Sequence, residues 1–479
     1  MKTLLLTGLV AGTAFSPQLT TASNKKTDKN KRPNVVFIIA DDLGYGDLSC
    51  YGQEKFKTPN IDKLAQEGLR FTQCYSGTTV SAPSRSSLIT GLHTGHTPIR
   101  GNKEVQPEGQ FALPAGTQTL FSIFKQAGYT TGAFGKWGLG SPGSEGDPNK
   151  QGVDNFYGFN CQLLAHNYYA DHLWENDKRI ELPGNYNRGY GSYTQDLIQD
   201  KALEFIEKNK DENFFLFLPY VLPHAELIVP EDSIIQKFRG MYPETPYKGI
   251  DSGAAFRKGG YCSQVYPRAT FAAMVYRLDV YVGQVVSKLK ELGLYENTMI
   301  VFTSDNGPHK EGGADPDFFN GNGIYRGHKR DLYEGGIRVP FIAVWPGSIA
   351  QGKETPFMCS FWDMMPTFAQ IIGQKTKEGD GLSILPTLTG KGKQEEHQSL
   401  YFEFQEEGGK QAIRKGDWKL IRFKANNEAA SYYELYNIAA DPQEIHNVAA
   451  SHPEMVSTLK QLMLASHVDD PNWPLYQKR

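Results

Sequence analysis

Four short runs of uninterrupted apolar residues constrain this chain more than any other feature. They are Val35–Ala40, Phe214–Leu218, Met299–Thr303 and Phe341–Trp345. Each has the length of a strand. None shows the polar alternation of a strand with one wet face, so both faces must be buried, as in a sheet covered by helices on either side. Helical patterns lie between the runs. Thr58-Pro59 opens one, with Thr58 at the N-cap and Pro59 at N1, and Gly68 closes it. Thr119 to Gln126 forms a second, closed by Gly128. Arg268 to Leu292 is the longest, and its Phe271, Val275, Leu278, Val282, Val285 and Leu289 follow the spacing of a buried stripe. Strands alternating with helices predict an α/β fold.

The alternation fades after Gly373. Leu400–Phe404, Gln411–Ile413 and Trp418–Phe423 read as strands separated by short turns, and Pro453 to Ala465 reads as a helix. This predicts a small C-terminal α+β subdomain, residues 381–479, after a catalytic domain over 33–380, with the boundary near Gly373 to Gly390. A purely structural role is the plain expectation for that subdomain.

The chain has 479 residues, too many for one small core. Its net charge is -3, which argues against a nucleic-acid-binding protein. An anionic ligand would have to be held by a few placed cations. The N-terminus reads as a signal peptide over residues 1–22. Lys2 supplies the positive charge, Leu4 to Phe15 is apolar and small, and Thr20-Thr21-Ala22 fits a cleavage site. Residues 23–32 read as a lysine-rich linker. The apolar stretch is shorter than the roughly 20 residues of a spanning helix, so secretion, to a periplasm, is expected rather than a membrane span. Five scattered cysteines, with no CxxC pair, argue against a thiolate zinc site and leave at least one thiol unpaired.

Two of the buried runs end in the same chemistry. Val35–Ala40 leads into Asp41-Asp42, and Met299–Thr303 leads into Ser304-Asp305-Asn306-Gly307. Ligands of open α/β sheets sit outside the carboxyl ends of parallel strands. If these strands are neighbours, three carboxylates and an amide meet at one point, which demands a cation. An all-oxygen ligand set suits calcium or magnesium better than zinc. Taken alone, Asp-Asn-Gly is also a common turn.

The segment Ser81-Ala82-Pro83-Ser84-Arg85, followed by Ser86 to Ile89 and Thr90-Gly91, resembles the signature of the type I formylglycine-dependent sulfatases. Asp41-Asp42, Gly135-Lys136-Trp137, Asp305-Asn306-Gly307, Glu334 to Pro340 and Arg414 to Leu420 resemble further blocks of that family, in its order. The resemblance spans nearly the whole mature chain. It implies an alkaline-phosphatase-like fold, with a large mostly parallel sheet between helices. It also implies a formylglycine (3-oxoalanine) made from Ser81 by a sulfatase-maturing enzyme. One calcium ion would be held by Asp41, Asp42, Asp305, Asn306 and the modified Ser81. The substrate would be a sulfated glycan, a galactose or N-acetylgalactosamine sulfate in the bacterial branch.

The family chemistry explains the oxidation. A plain serine would be left as a stable sulfate ester, whereas an aldehyde hydrate offers one hydroxyl to attack sulfur and a second to expel sulfate. By position, Arg85 would hold the hydrate, Lys136 and Lys329 would contact sulfate, and His224 would protonate the leaving oxygen. One departure stands out. The family commonly reads Gly-Lys-Trp-His, with the histidine on the formylglycine hydroxyl, and here Gly138 follows Trp137. His166 and His172, in a polar aromatic stretch, are expected to line the sugar pocket or fill this gap. His93 and His96 are further candidates for the pocket. Two other readings stay open: a phosphomonoesterase or phosphodiesterase of the same superfamily, and a glycan-binding protein without turnover.

Overall fold

The computed structural model describes Met1 and residues 32–476. The signal peptide and nearly all of the linker lie outside these residues. Eleven strands form one sheet: β1 (Asn34–Ala40), β2 (Leu69–Tyr75), β3 (Thr130–Lys136), β4 (Asn155–Phe159), β5 (His172–Glu175), β6 (Lys178–Glu181), β7 (Phe214–Pro219), β8 (Thr298–Ser304), β9 (Arg338–Val344), β10 (Lys353–Thr355) and β11 (Cys359–Ser360). Across the sheet the order is β10-β2-β9-β8-β1-β7-β3-β4-β5-β6, and β11 also pairs with β2. The centre is parallel: β8, β1, β7, β3 and β4 all run the same way.

Residues on successive positions of β1 feed two different cores. Val36, Ile38 and Ala40 join Leu278, Val282 and Val285 of the helix Pro267–Glu291. Val35, Phe37 and Ile39 join Leu88 and Ile89 of the helix Ser81–Thr90, together with the helices Leu120–Gln126 and Met364–Ile372. A period of two along a strand therefore buries both faces, and this is why the run carries no polar residue. Each such Val, Ile or Phe contributes roughly 1.5–3 kcal/mol by its burial.

The fourth apolar run behaves differently from its neighbours. β9 is as buried as β1, yet it runs antiparallel to both β8 and β2. Apolar continuity reports that both faces are covered, and says nothing of direction.

A second sheet of four antiparallel strands follows: β12 (Leu400–Phe404), β13 (Lys410–Lys415), β14 (Trp418–Phe423) and β15 (Tyr432–Asn437). Leu400, Phe402, Ala412 and Ile421 face Tyr75, Ile337 and Trp362, while Tyr401, Ile413 and Leu420 face the helix Pro453–Ala465. Both sheets belong to one compact unit that begins at Arg32. Among the described residues, no helix is long and apolar enough to cross a membrane.

Candidate active site

The carboxyl ends of the parallel strands carry the polar residues. Ala40 and Ser304 are register partners at the ends of β1 and β8, so Asp41-Asp42 and Asp305-Asn306 leave the sheet side by side. Lys136 ends β3, and His224 follows β7 by five residues. Ser81 begins a fully buried ten-residue helix. A helix N-terminus favours negative charge, so this placement suits an oxyanion over Ser81.

The backbone there is held from several sides. Asp42 adopts a left-handed φ of 62°, uncommon for a residue with a side chain. Its N–H donates to Asp305 Oδ1 at 3.1 Å, and the next N–H, of Leu43, donates to Ser304 Oγ at 2.9 Å. The turn after β8 packs against Glu334–Ile337: Gly307 N–H donates to the Gly336 carbonyl, and a Cβ on Gly307 would lie 1.9 Å from the Gly335 oxygen. No other residue fits at 307.

Each carboxylate has a cationic partner. Lys136 Nζ lies 2.5 Å from Asp41 Oδ2, Lys329 Nζ lies 2.9 Å from Asp42 Oδ2, and Arg85 Nη2 lies 2.9 Å from Asp305 Oδ2. Arg85 also donates to the Lys136 carbonyl at 2.6 Å. The Ser81 hydroxyl donates to the other oxygen of Asp41 at 2.9 Å. Burial works against charge on Asp41, but Lys136, His224, Arg85 and Lys329 together hold its carboxyl well below the usual range. Asp305 is pushed up to about 7 by burial and by the negative charge of Asp41, with Arg85 opposing.

His224 is buried and lies 3.1 Å from Lys329 Nζ and 3.4 Å from Asp42 Oδ2 through its Nε2. Its Nδ1 faces the Ala225 carbonyl, which places the ring hydrogen on Nδ1 and leaves Nε2 to accept from the Lys329 ammonium. Burial and the Lys329 charge hold the imidazole well below its ordinary pKa. His166 stacks on His224 with centroids 4.9 Å apart and is pushed down to about 3 by burial and His224.

The donors at this point fit a hard cation. The ligand atoms of Asp41, Asp42 and His224 lie within 4.8 Å of one another. Asn306 Nδ2 is used, donating to Asp42 Oδ1 at 2.7 Å, but its buried Oδ1 has no partner among the described residues. An unpaired amide oxygen beside three carboxylates is the oxygen-rich set that calcium takes.

Two comparisons decide the family. The Sulfatase family profile matches residues 33–374, and the profile "N-sulphoglucosamine sulphohydrolase, C-terminal" matches residues 323–468. The chain belongs to the sulfatase family. It is therefore a sulfuric ester hydrolase. An N-acetylgalactosamine-6-O-sulfatase of Bacteroides thetaiotaomicron is 30% identical, with 93% of this chain and 96% of that protein covered. Human arylsulfatase A is 32% identical over 90% of this chain and 87% of its own length. The crystal structure of Ps i-CgsB has a TM-score of 0.77 at 28% identity, covering 93% of this chain and 96% of that one.

A cleft of about 450 Å³ opens over this sulfatase's Ser81. Lys136, His166, His224 and Lys329 line it, together with Gln110, Gln162, Tyr261 and Arg330. His172 stands in a neighbouring cleft, bonded to Glu108 and Asp171. His93 lies outside both. It stacks on His96 beside Asp380, and the Gly95 N–H donates to its Nδ1 at 3.1 Å. The structure thus gathers five of the sequence candidates around one cleft and leaves His93, His96 and His172 outside it.

Three residues in or behind the cleft wall carried little signal in the sequence. Glu311 binds Lys329 Nζ at 3.0 Å, Arg330 at 2.5 Å and the Tyr261 hydroxyl at 3.0 Å. Its nearness to the Asp305-Asn306-Gly307 turn was the one available hint. Gln110 and Gln162 stand in stretches that carry no motif.

Proposed function

We propose that this sulfatase removes sulfate from a sulfated carbohydrate, a galactose or N-acetylgalactosamine sulfate, using a formylglycine made from Ser81 and one calcium ion. The observation that carries the reading is the Ser81 hydroxyl held by Asp41 in a cleft whose walls present Lys136, Lys329 and His224. The substrate class is supported by the relative that acts on N-acetylgalactosamine 6-sulfate and by the structural neighbour solved with k-i-k-neocarrahexaose.

Asp41, Asp42, Asp305 and Asn306 would hold the calcium, with residue 81 as the fifth ligand. The bound ion supplies positive charge at the sulfuryl oxygens, and the hydrated aldehyde supplies the attacking hydroxyl and a second one that releases sulfate. Asp41 orients the hydroxyl of residue 81. Arg85, tied to Asp305 and the Lys136 carbonyl, fixes both loops. Lys136 and Lys329 donate to sulfate oxygens as charge moves onto them. The anionic substrate favours the imidazolium of His224, whose Nε2 then passes its proton to the departing sugar oxygen.

The rest of the reading concerns maturation and organisation. The maturing enzyme acts on the Ser81–Arg85 segment. That segment is wholly buried in a helix, so conversion precedes folding. Residues 1–22 direct secretion to a periplasm, 33–380 form the catalytic domain, and 381–479 close it.

The test uses protein co-expressed with a serine-accepting maturing enzyme. The peptide containing residue 81 should weigh two hydrogens less than its serine form. Rates are then compared on an aryl sulfate, an aryl phosphate and a panel of defined sulfated sugars. Faster hydrolysis of the phosphate, or no turnover of any sulfated sugar by converted protein, would overturn the proposal.

A further inference from the structure

Two carboxamides in the Ser81 cleft have donors without partners among the described residues. Gln110 and Gln162 line the cleft with Ser81 and Lys136, and they are only 1% and 6% exposed. The Gln162 N–H donates to Gln110 Oε1 at 3.2 Å, which identifies Nε2 as the free end of Gln110. Neither Gln110 Nε2 nor Gln162 Nε2 has a partner among the described residues. Glu104 and Glu406 also line the cleft but accept from neither. Buried amide donors are nearly always paired, so two that share one cleft call for a ligand.

The chain's own sequence makes room for one of them. Gly138 has a φ of 73°, and a Cβ there would lie 2.2 Å from Gln162 Nε2. A side chain at 138 and the amide of Gln162 compete for the same space. Trp137 N–H on the Phe159 carbonyl (2.8 Å) and Gly138 N–H on the Asn160 carbonyl (3.0 Å) clamp the two segments together. The amide is therefore held two residues beyond Lys136, in the gap left by the missing side chain.

The free groups define the ligand chemically. An amide Nε2 can only donate, as can Lys136, Lys329 and Arg330 on the same walls. A tetrahedral oxyanion can only accept. We infer that Gln162, with Gln110 beside it, donates hydrogen bonds to the sulfate group of the bound ester, as neutral partners to Lys136 and Lys329. This rests on the proposed sulfatase site and adds two substrate-binding residues to it. Neither His166 nor His172 is then needed to fill the place beside Gly138.

The test is titration of inorganic sulfate into the purified, calcium-loaded protein, followed by calorimetry, with melting temperatures recorded for every variant. Sulfate binding does not require conversion of Ser81, so the readout is independent of turnover. Gln162→Met and Gln110→Met keep length and remove the donor. A hydrogen bond to a charged group corresponds to about 10-fold or more in affinity. Each variant should weaken sulfate binding by that factor without a fall in melting temperature. The loss should be the same across pH, because a carboxamide does not titrate, whereas a displaced Lys136 or His224 would tilt the profile. Gly138→Ala, which pushes the amide away at some cost from its left-handed φ, should lose affinity in the same way, and Gln110→Met carries the test if Gln162→Met does not fold. Folded variants that bind sulfate as tightly as wild type would overturn the inference alone. Wild-type protein that neither binds sulfate nor hydrolyses sulfate esters would instead remove the site reading beneath it.

Discussion

The hydroxyl of Ser81 donates to Asp41 Oδ1 at 2.9 Å, and the other oxygen of the same carboxylate takes the Lys136 ammonium at 2.5 Å. One buried side chain thus joins the signature helix, the end of β1 and the end of β3. Ser81→Ala removes one donor from this junction and leaves the Lys136 pair intact. It should abolish sulfate release while the protein melts as wild type does. Ser81→Cys should be active only from a host whose maturing enzyme accepts cysteine. Sulfate release by folded Ser81→Ala protein would refute the assignment of the nucleophile.

Chelation should lower both activity and melting temperature. Asp41, Asp42 and Asp305 are buried together, and a cation bound only by the folded state stabilises it by mass action. At a free ion concentration of about 100 times Kd, that contribution is roughly 2.7 kcal/mol. Asp305→Ala should melt lower and respond less to added calcium. Identical melting curves with and without chelator would count against a metal at these residues.

His224→Ala should hurt poor leaving groups more than good ones. A sugar alkoxide needs a proton as its bond to sulfur breaks, and a nitrophenolate departs with little help. General acid catalysis is typically worth about 10²–10⁴-fold. That loss in kcat/KM should appear on a glycan sulfate and shrink on an aryl sulfate. Equal losses on the two would make His224 a sulfate ligand, and His166, stacked on it, the next candidate for the proton donor.

Lys419→Met should destabilise the fold strongly. Lys419 is fully buried, 3.0 Å from Glu334 Oε1 and 3.0 Å from Glu444 Oε1. Glu334 begins the turn that braces Gly307. Removing one partner of a buried ion pair leaves the other charge uncompensated, at a cost of about 3–5 kcal/mol. Urea denaturation measures this, and a loss below about 1 kcal/mol would show that Arg338, 3.1 Å from Glu334, and Arg414, 3.6 Å from it, suffice for that carboxylate.

Asp47 should make stability fall as pH rises. Burial pushes its carboxyl up to about 7, and the Gly44 N–H, donating at 2.8 Å, only partly offsets this. The folded-state pKa lies above the unfolded value, so the folded state holds the proton more tightly. The contribution is fully present below about pH 4 and is lost as pH rises to about 7. Its size is on the order of a few kcal/mol. Asp47→Asn should melt closer to, or above, wild type at pH 8 than at pH 4. A difference between the two proteins that does not change with pH would exclude the effect.

Sequence alone determined the elements whose character is local. The runs that became β1, β7 and β8 are apolar because both faces are covered. The stripe of Pro267–Glu291 repeats at helical spacing, and both patterns survive in a linear string. Asp41-Asp42 and Asp305-Asn306 were legible for the same reason, since each directly follows such a run. Only the tertiary structure decided what depends on distant pairing. β9 looks like its parallel neighbours in composition but runs against them, because direction is set by the connection and not by side chains. β4, β5 and β6 were not legible because they are short strands interrupted by glycine or polar residues, toward the end of the sheet where β6 is the edge. Gln110 and Gln162 reach the cleft, and Glu311 the back of its wall, through packing between segments far apart in the chain. A lone glutamine carries no mark of the contact it will make, and it was Gly138, by what it lacks, that left room for one.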